Sequence, residues 1–249
     1  MTKRLYVDQG TLDMDRFELP DATAHRLRNV LRVRAGEELV LFDGAGVDAR
    51  VRIDEMTARA VSVSVIERMD SAAEPRVRVH LYQSIAKGER FEWLLEKGTE
   101  LGVARFVPLI AARSVVKTGA EAGRFERWRR IIIEAAEQSG RGAVPEIDAP
   151  QGFEQALRDA PGVRLLPYEH AGEAAPDIQA ALTADIDALF ALAEVSVFVG
   201  PEGGWEEREV ELARSSGVAI VTMGARVLRS ETAGLVAATL VMQAVGELG

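Results

Sequence analysis

Apolar and polar positions change rhythm along the chain. Between residues 38 and 67 they alternate with a period of two, in ELVLFD (38–43), VDARVRI (47–53) and AVSVSVIE (60–67), and this predicts three strands. Asp43-Gly44, between the first two, is a hairpin signal. Ahead of them Ala24, Leu27, Val30 and Leu31 recur at helical spacing behind Asp21, which predicts a capped helix from Asp21 to Leu31 with Arg28 and Arg32 on another face. Short strands joined by tight turns predict a small barrel. The polar stretch MDSAAEPR (69–76) carries Pro75, and a domain boundary is expected there, between residues 72 and 73.

From residue 77 apolar runs alternate with helical-period segments, the pattern of parallel βα units. VRVHLYQSI (77–85), ARFVPLI (104–110), VRLLPY (163–168), EVSVFVG (194–200) and VAIVTMG (218–224) read as strands. Helices are expected at ERFEWLLEKGTELG, where Phe91, Leu94, Leu95, Gly98 and Leu101 share a face, and at 124–140, 205–215 and 231–246. Residues 151–193 are rich in Ala and show no clear period. The expected organisation is a β-rich domain over 1–72 and an α/β domain over 73–249.

Composition narrows the chemistry. With no Cys among 249 residues, disulfides, a thiolate nucleophile and Cys-based metal sites are excluded. The three histidines, His25, His80 and His170, show no paired spacing, so no metal is expected. The MTKRLYVDQG start lacks the apolar core of a secretory signal, and no apolar run reaches the ~18 residues of a membrane span, so the expectation is a cytoplasmic protein without a membrane partner. The net charge of −9 is uneven: residues 1–150 carry 24 basic and 24 acidic side chains, residues 151–249 carry 6 and 15. Arg outnumbers Lys 26 to 4, which fits either phosphate recognition by planar forks or a codon bias of the source.

Gly44-x-Gly46-x-x-Ala49 has the spacing of a dinucleotide fingerprint, but the strand-like VDARVRI follows where a helix should open, and no GxxxxGK[ST] occurs. Gly200-Pro201-Glu202-Gly203-Gly204-Trp205 is a sharper signal. It follows an apolar strand and precedes a helix with Glu206-Glu207 in its first turn. Glycines at the carboxyl end of a strand let backbone approach a ligand closely, though a tight turn alone would also use them. A second loop, Met223 to Ala233, lies between a strand and a helix and carries Arg226 and Arg229, so two loops could converge on one pocket.

VGPEGGW, MGARVLRSETA, GERFEWLLEKGTELGV and EAAEQSGRGAVPEI together resemble the bacterial SPOUT-superfamily methyltransferases that methylate N3 of a uridine in 16S ribosomal RNA of the small subunit. HRLRNVLRVRAGEELVLFDGAG is similar to that family's N-terminal module. The resemblance implies an α/β protein with an N-terminal PUA-like small β-barrel and a C-terminal SPOUT domain tied in a trefoil knot. It also implies a homodimer that binds S-adenosylmethionine. Carried onto matching positions, Val199, Gly200, Pro201, Glu202, Gly203 and Gly204 would hold the cofactor together with Met223, Gly224, Arg226, Val227, Leu228 and Thr232, while Leu166 and Pro167 complete its adenine side. Two departures stand out: Ala111 and Ala112 precede Arg113 where the family usually has an acid, and Ser139 stands where relatives often have Cys.

The implied reaction needs a uridine imide nitrogen that has lost its proton and lies in line with the methyl group. Arg229 is expected to stabilise the anionic base, and Glu231 is either a general base or simply a helix-capping acid. For the RNA, the strip Arg26, Arg28, Arg32 and Arg34 is the first candidate, with Arg4 beside it and Arg113 and Lys117 as a second basic region. A solvated charged face is the competing reading for each. The alternatives at the level of function are a SPOUT enzyme acting on transfer RNA or a ribose hydroxyl, and an rRNA-binding assembly factor without catalysis.

Overall fold

The computed structural model describes residues 3–57, 60–71, 74–115, 122–172, 174–184 and 193–248. Lys117 lies outside them. The chain divides into two compact units, Met1–Glu74 with Ala136–Val144, and Pro75–Ala135 with Pro145–Gly249. The segment 136–144 is the feature that linear reading of a boundary near 72 could not supply.

The first unit is built on five strands: β1 (Arg4–Tyr6), β2 (Arg16–Glu18), β3 (Glu38–Phe42), β4 (Val47–Met56) and β5 (Val61–Asp70). They pair in the order β1-β3-β4-β5-β2, with β1 parallel to β3 and the other ladders antiparallel. This hydrogen-bonded path has two ends, so the ladders alone do not close a barrel. Alternation puts Leu39, Leu41, Val51, Ile53, Val61 and Val63 into one core, where Ala24 and Leu27 of helix α1 (Asp21–Asn29) join them. The helix is shorter than its apolar spacing predicts. The Val30 and Leu31 N–H groups both donate to the Arg26 carbonyl and the Val33 N–H donates to that of Leu27. This tight end leaves Val30 66% exposed and puts Arg32 at φ 49. Arg28 and Arg32 therefore do not share a helix face, and Pro20 rather than Asp21 occupies the N-cap position.

Arg4, expected to meet RNA, is committed inside this unit. Its guanidinium donates to both Asp48 oxygens at 2.6 Å and to the Arg141 carbonyl, and it lies 4.5 Å over the Phe42 ring. Nearby the Glu74 carboxylate accepts from Arg141 Nη2 at 2.8 Å and from the Gly142 and Ala143 N–H groups at 3.0 Å each. A Cβ on Gly142 would come 2.3 Å from the Ser71 Cβ, so only glycine permits this approach. These bonds are why 136–144 belongs to the first unit.

The second unit is a parallel sheet ordered β12-β10-β11-β6-β7-β8, with β9 also on β7. Its central strands are β6 (Arg78–Ser84), β7 (Arg105–Ile110), β10 (Val163–Pro167), β11 (Glu194–Val199) and β12 (Ala219–Val221), while β8 (Glu146–Ile147) and β9 (Gln151–Gly152) are short. The helices are α2 (Arg90–Glu100), α3 (Ala122–Ser139), α4 (Phe153–Asp159), α5 (Ile178–Thr183), α6 (Glu207–Ser215) and α7 (Ser230–Ala244). Tyr82, Phe198 and Leu166 pack with Phe153, Leu157, Val210 and Ala213 of α4 and α6, while α2 and α7 supply Leu94, Leu95, Ala238 and Met242 to the buried interior. α4 and α5 occupy the stretch whose Ala-rich composition gave no period. His80 on β6 is 2% exposed, and burial first of all lowers its pKa, with Glu194 opposing and Arg78 and Arg105 adding to the fall. It is a neutral core residue.

No helix among the described residues is long and apolar enough to cross a membrane, and no group of metal-binding side chains occurs among them. Glu74→Ala should lower stability by about 3 kcal/mol, because it strips a compensating charge from the buried Arg141 and leaves two N–H groups without their acceptor. A urea midpoint within experimental error of the parent's would refute this account of the segment.

Candidate active site

The neighbours β12, β10, β11 and β6 end side by side, and the loops that leave their carboxyl ends face one cavity of about 450 Å³. From β11 and its loop come Val199, Gly200, Pro201, Glu202, Gly204 and Trp205. From the loop after β12 come Met223, Gly224, Arg226, Val227, Leu228 and Arg229, followed by Ser230 and Ala233 of α7. Pro167, Tyr168 and Glu169 close the third side at the end of β10, and Arg90 stands at the start of α2.

The loop 200–206 is held from several sides. Ser230 Oγ donates to the Gly200 carbonyl at 2.5 Å and accepts from Gln83 Nε2 at 2.8 Å. The Gly204 N–H donates to the Pro201 carbonyl, and the Lys87 N–H donates to Glu202 Oε1 at 3.3 Å. Glu206 and Glu209 form a reciprocal capping box at the start of α6, and the other Glu209 oxygen accepts from the Ala112 N–H at 2.9 Å. The Trp205 indole lies flat on Gly200, where a Cβ would come 3.0 Å from the ring. These bonds tie the loop to α7, to the Lys87 backbone and to the Ala112 backbone.

Several expected residues sit elsewhere. Leu166 is wholly buried in the core beneath the cavity, packed with Tyr82 and Phe198, because alternation along β10 turns it away from the side that Pro167 faces. Gly203 faces outward: its carbonyl accepts from Arg113 Nη1 at 3.1 Å, and a Cβ there would meet the Arg113 Cβ at 3.1 Å. Arg113 thereby braces the loop instead of standing free. Thr232 does not line the cavity. Glu231 is 6% exposed and lies behind the lining, with Oε1 3.9 Å from Arg90 Nε and Oε2 without a hydrogen-bond partner.

Arg90, Tyr168, Glu169, Trp205 and Ser230 were not anticipated as lining residues. Tyr168 and Glu169 directly follow the apolar run of β10, and a rule that strand ends bind ligands would have reached them. Arg90 has a subtler signal, a cation in the first turn of a helix, where the dipole disfavours it. It lies 3.8 Å from Glu202 and 3.9 Å from Glu231, too far for hydrogen bonds. Neither the Arg226 nor the Arg229 guanidinium has a hydrogen-bond partner among the described residues, and both residues are exposed on the rim. A pocket with an apolar wall and three underused guanidinium groups can hold an aromatic base against its wall and an anion at its mouth.

The family model described as an RNA methyltransferase domain matches residues 73–242, and one described as an RNA methyltransferase PUA domain matches residues 19–66. The chain belongs to this RNA methyltransferase family. It is 32% identical over 225 residues to the ribosomal RNA small subunit methyltransferase E of Bacillus subtilis, spanning 89% of this chain and 87% of that one. The protein of the same name from Synechocystis is 32% identical over 95% of this chain and 76% of its own. A crystal structure of that methyltransferase from Neisseria gonorrhoeae, bound to S-adenosyl methionine, superposes with a TM-score of 0.85 at 33% identity, covering 98% of each chain.

In this RNA methyltransferase the two adjacent glycines of the loop are not equivalent. Gly204 has φ +71, and a Cβ would come 2.8 Å from Glu169 Oε1, while Gly203 needs no left-handed backbone. Gly204→Ala should cost about 1–2 kcal/mol in stability and Gly203→Ala well under half of that. Thermal unfolding of both variants checks the order, and equal losses would mean the loop is not held as described.

Proposed function

We propose that this RNA methyltransferase transfers a methyl group from S-adenosylmethionine to N3 of a uridine in 16S ribosomal RNA of the small subunit, a substrate met in the cytoplasm. The observation that carries the reading is the convergence of three strand-end loops on one cavity with unpartnered arginines at its rim. Its volume of about 450 Å³ falls in the range of small-molecule sites. Pro167, Val199, Pro201 and Leu228 offer an apolar wall to an adenine ring, and the backbone at Gly200, Gly204 and Gly224 can come close to a ligand. The cofactor bound by the neisserial relative supports the same occupant here. When bound, S-adenosylmethionine supplies an electrophilic methyl group.

The protein's own residues must then lower the cost of removing the imide proton and hold the base in line. Arg229 stands on the rim immediately before α7, and its guanidinium keeps its charge while a uracil anion forms beside it. Glu231 is the candidate proton acceptor: its carboxylate is buried and one oxygen is unpartnered. It borders the lining instead of belonging to it, and a negative charge in the first turn also suits the α7 dipole, so the base and capping roles both have a structural basis.

The RNA contacts proposed for the first unit centre on Arg32 and Arg34. Both are exposed and their guanidinium groups have no partner among the described residues, whereas Arg26 is paired with the buried Glu137 carboxylate and Arg28 donates to the Thr57 carbonyl at 3.0 Å. A homodimer is supported by α7, where Leu235, Val236 and Leu240 stay half-exposed beside the buried Ala237, Ala238 and Val241. A trefoil knot in the second unit is part of the same proposal.

Incubating the protein with small subunits lacking the modification and mapping the rRNA by mass should show 3-methyluridine at one site. Methylation of a ribose, or none at all, would overturn the reading. Arg229→Ala should slow single-turnover methyl transfer by about 10²–10³ with cofactor affinity kept, and a rate within a factor of two of the parent's would remove Arg229 from the chemistry. Replacing Arg32 and Arg34 together by Ala should flatten the log–log salt dependence of RNA binding by about 0.7–0.9 for each lost phosphate contact, and superimposable lines would return both to solvent.

A further inference from the structure

Glu169, in the wall of the cavity, is a carboxylate with no hydrogen-bond or ion-pair partner among the described residues. The Tyr168 N–H donates to the Val221 carbonyl at 3.0 Å, and the Ala171 N–H donates back to the Tyr168 carbonyl at 3.2 Å, so Glu169 is presented in a turn anchored to β12. The carboxylate is laid over Gly204, where even a methyl group would come within 2.8 Å of Oε1. Among the described residues nothing donates a hydrogen bond to it and no cation lies within ion-pair distance. The cavity's cations are Arg90 at the start of α2 and Arg226 and Arg229 in the loop before α7, and Glu202 is tied to the Lys87 N–H. A carboxylate left without partners beside an apolar wall suits a ligand that brings hydroxyl donors to that place.

We propose that Glu169 reads the ribose of the adenosyl ligand, accepting hydrogen bonds from its vicinal 2′- and 3′-hydroxyls. This rests on the reading that an adenosyl ligand occupies the cavity. The ring is assigned to the wall made by Pro167, Val199 and Pro201, and Glu169, two residues beyond Pro167, stands where the group attached to the ring must lie. Two carboxylate oxygens match two adjacent hydroxyls. The same pairing of an acid at a strand's carboxyl end with ribose hydroxyls recurs in dinucleotide-binding sheets, which shows that the chemistry suffices without a metal or a cation. Gly204 serves this arrangement as well, because any side chain there would displace the carboxylate.

The test is calorimetric binding of S-adenosylhomocysteine, and of its two analogues lacking the 2′- or the 3′-hydroxyl, to the full chain and to Glu169→Ala and Glu169→Gln. This ligand carries no sulfonium, so attraction between opposite charges at sulfur does not enter. The parent should bind the complete ligand and lose about ten- to a hundredfold on each analogue, the range of a charge-assisted hydrogen bond. Glu169→Ala should lose a similar factor on the complete ligand and nothing further on the analogues, with Glu169→Gln in between. Unchanged affinity in Glu169→Ala, or an equal loss on complete and deoxy ligands, overturns the ribose assignment while leaving the cofactor reading intact. Failure of the parent to bind S-adenosylhomocysteine overturns the cofactor reading itself. Glu169 is exposed, so both variants should unfold at the parent's temperature, which a thermal scan verifies.

Discussion

The Ser230 hydroxyl joins three elements on which the site depends. It donates to the carbonyl that ends β11, accepts from Gln83 at the end of β6, and belongs to the first turn of α7. The Ser230 and Gln83 side chains are buried, so each would carry a desolvation penalty if left unpaired. One buried hydroxyl thus sets the distance between the glycine loop and the helix that carries Arg229 and Glu231. Gly200 is the complementary constraint, since only the missing side chain lets Trp205 lie against the same peptide. The cavity is the space left when these contacts are satisfied.

Arginine is the most informative residue type here because the structure sorts its copies into two kinds. Arg4, Arg26, Arg113 and Arg141 are spent on Asp48, Glu137, the Gly203 carbonyl and Glu74, where they fix backbone segments far apart in sequence. Arg32, Arg34, Arg226 and Arg229 stand exposed, their guanidinium groups without a partner among the described residues. A guanidinium of the first kind gains from a matched carboxylate or carbonyl, whether largely buried as in Arg4 and Arg141 or partly exposed as in Arg26 and Arg113. One of the second kind keeps its five donors for an anion that arrives later. The Arg-rich composition is therefore mixed in origin within the fold, and net charge says little about where RNA binds.

The period-two and helical rhythms made most elements legible, since each long strand has a buried face and each long helix an apolar stripe. What they missed has physical reasons. β1 and β2 have three residues each, too short for alternation to register, and α4 and α5 lie where alanine blurs the contrast between faces. The end of α1 was overrun because Val30 and Leu31 continue the apolar spacing while the backbone bonds turn the chain. Segment 136–144 joined the first unit through hydrogen bonds to Arg4 and Glu74, a long-range pairing that no local pattern encodes. The two cofactor-type loops were visible because glycine, proline and arginine are unusual between an apolar strand and a helix. The third wall at Tyr168 and Glu169 was not, because its residue types are common in any turn.

Assembling this site sets like charges against one another. Arg90 opposes the α2 dipole, and Arg226 and Arg229 share the same rim, so the cavity gathers three like charges that the fold must tolerate. Tolerance comes from two sources. Glu202 and Glu231 stand near Arg90 at distances that offset its charge without forming hydrogen bonds, which leaves its donors available. The loop backbone is meanwhile pinned by Ser230, by the Glu206–Glu209 capping box and by Arg113, so no rim cation is consumed in holding the wall. Holding the wall without Arg90, Arg226 or Arg229 explains how a chain with net charge −9 can keep a local binding place for polyanionic RNA. Gly203 and Gly204 differ although they are adjacent, because one peptide faces the brace and the other faces the cavity.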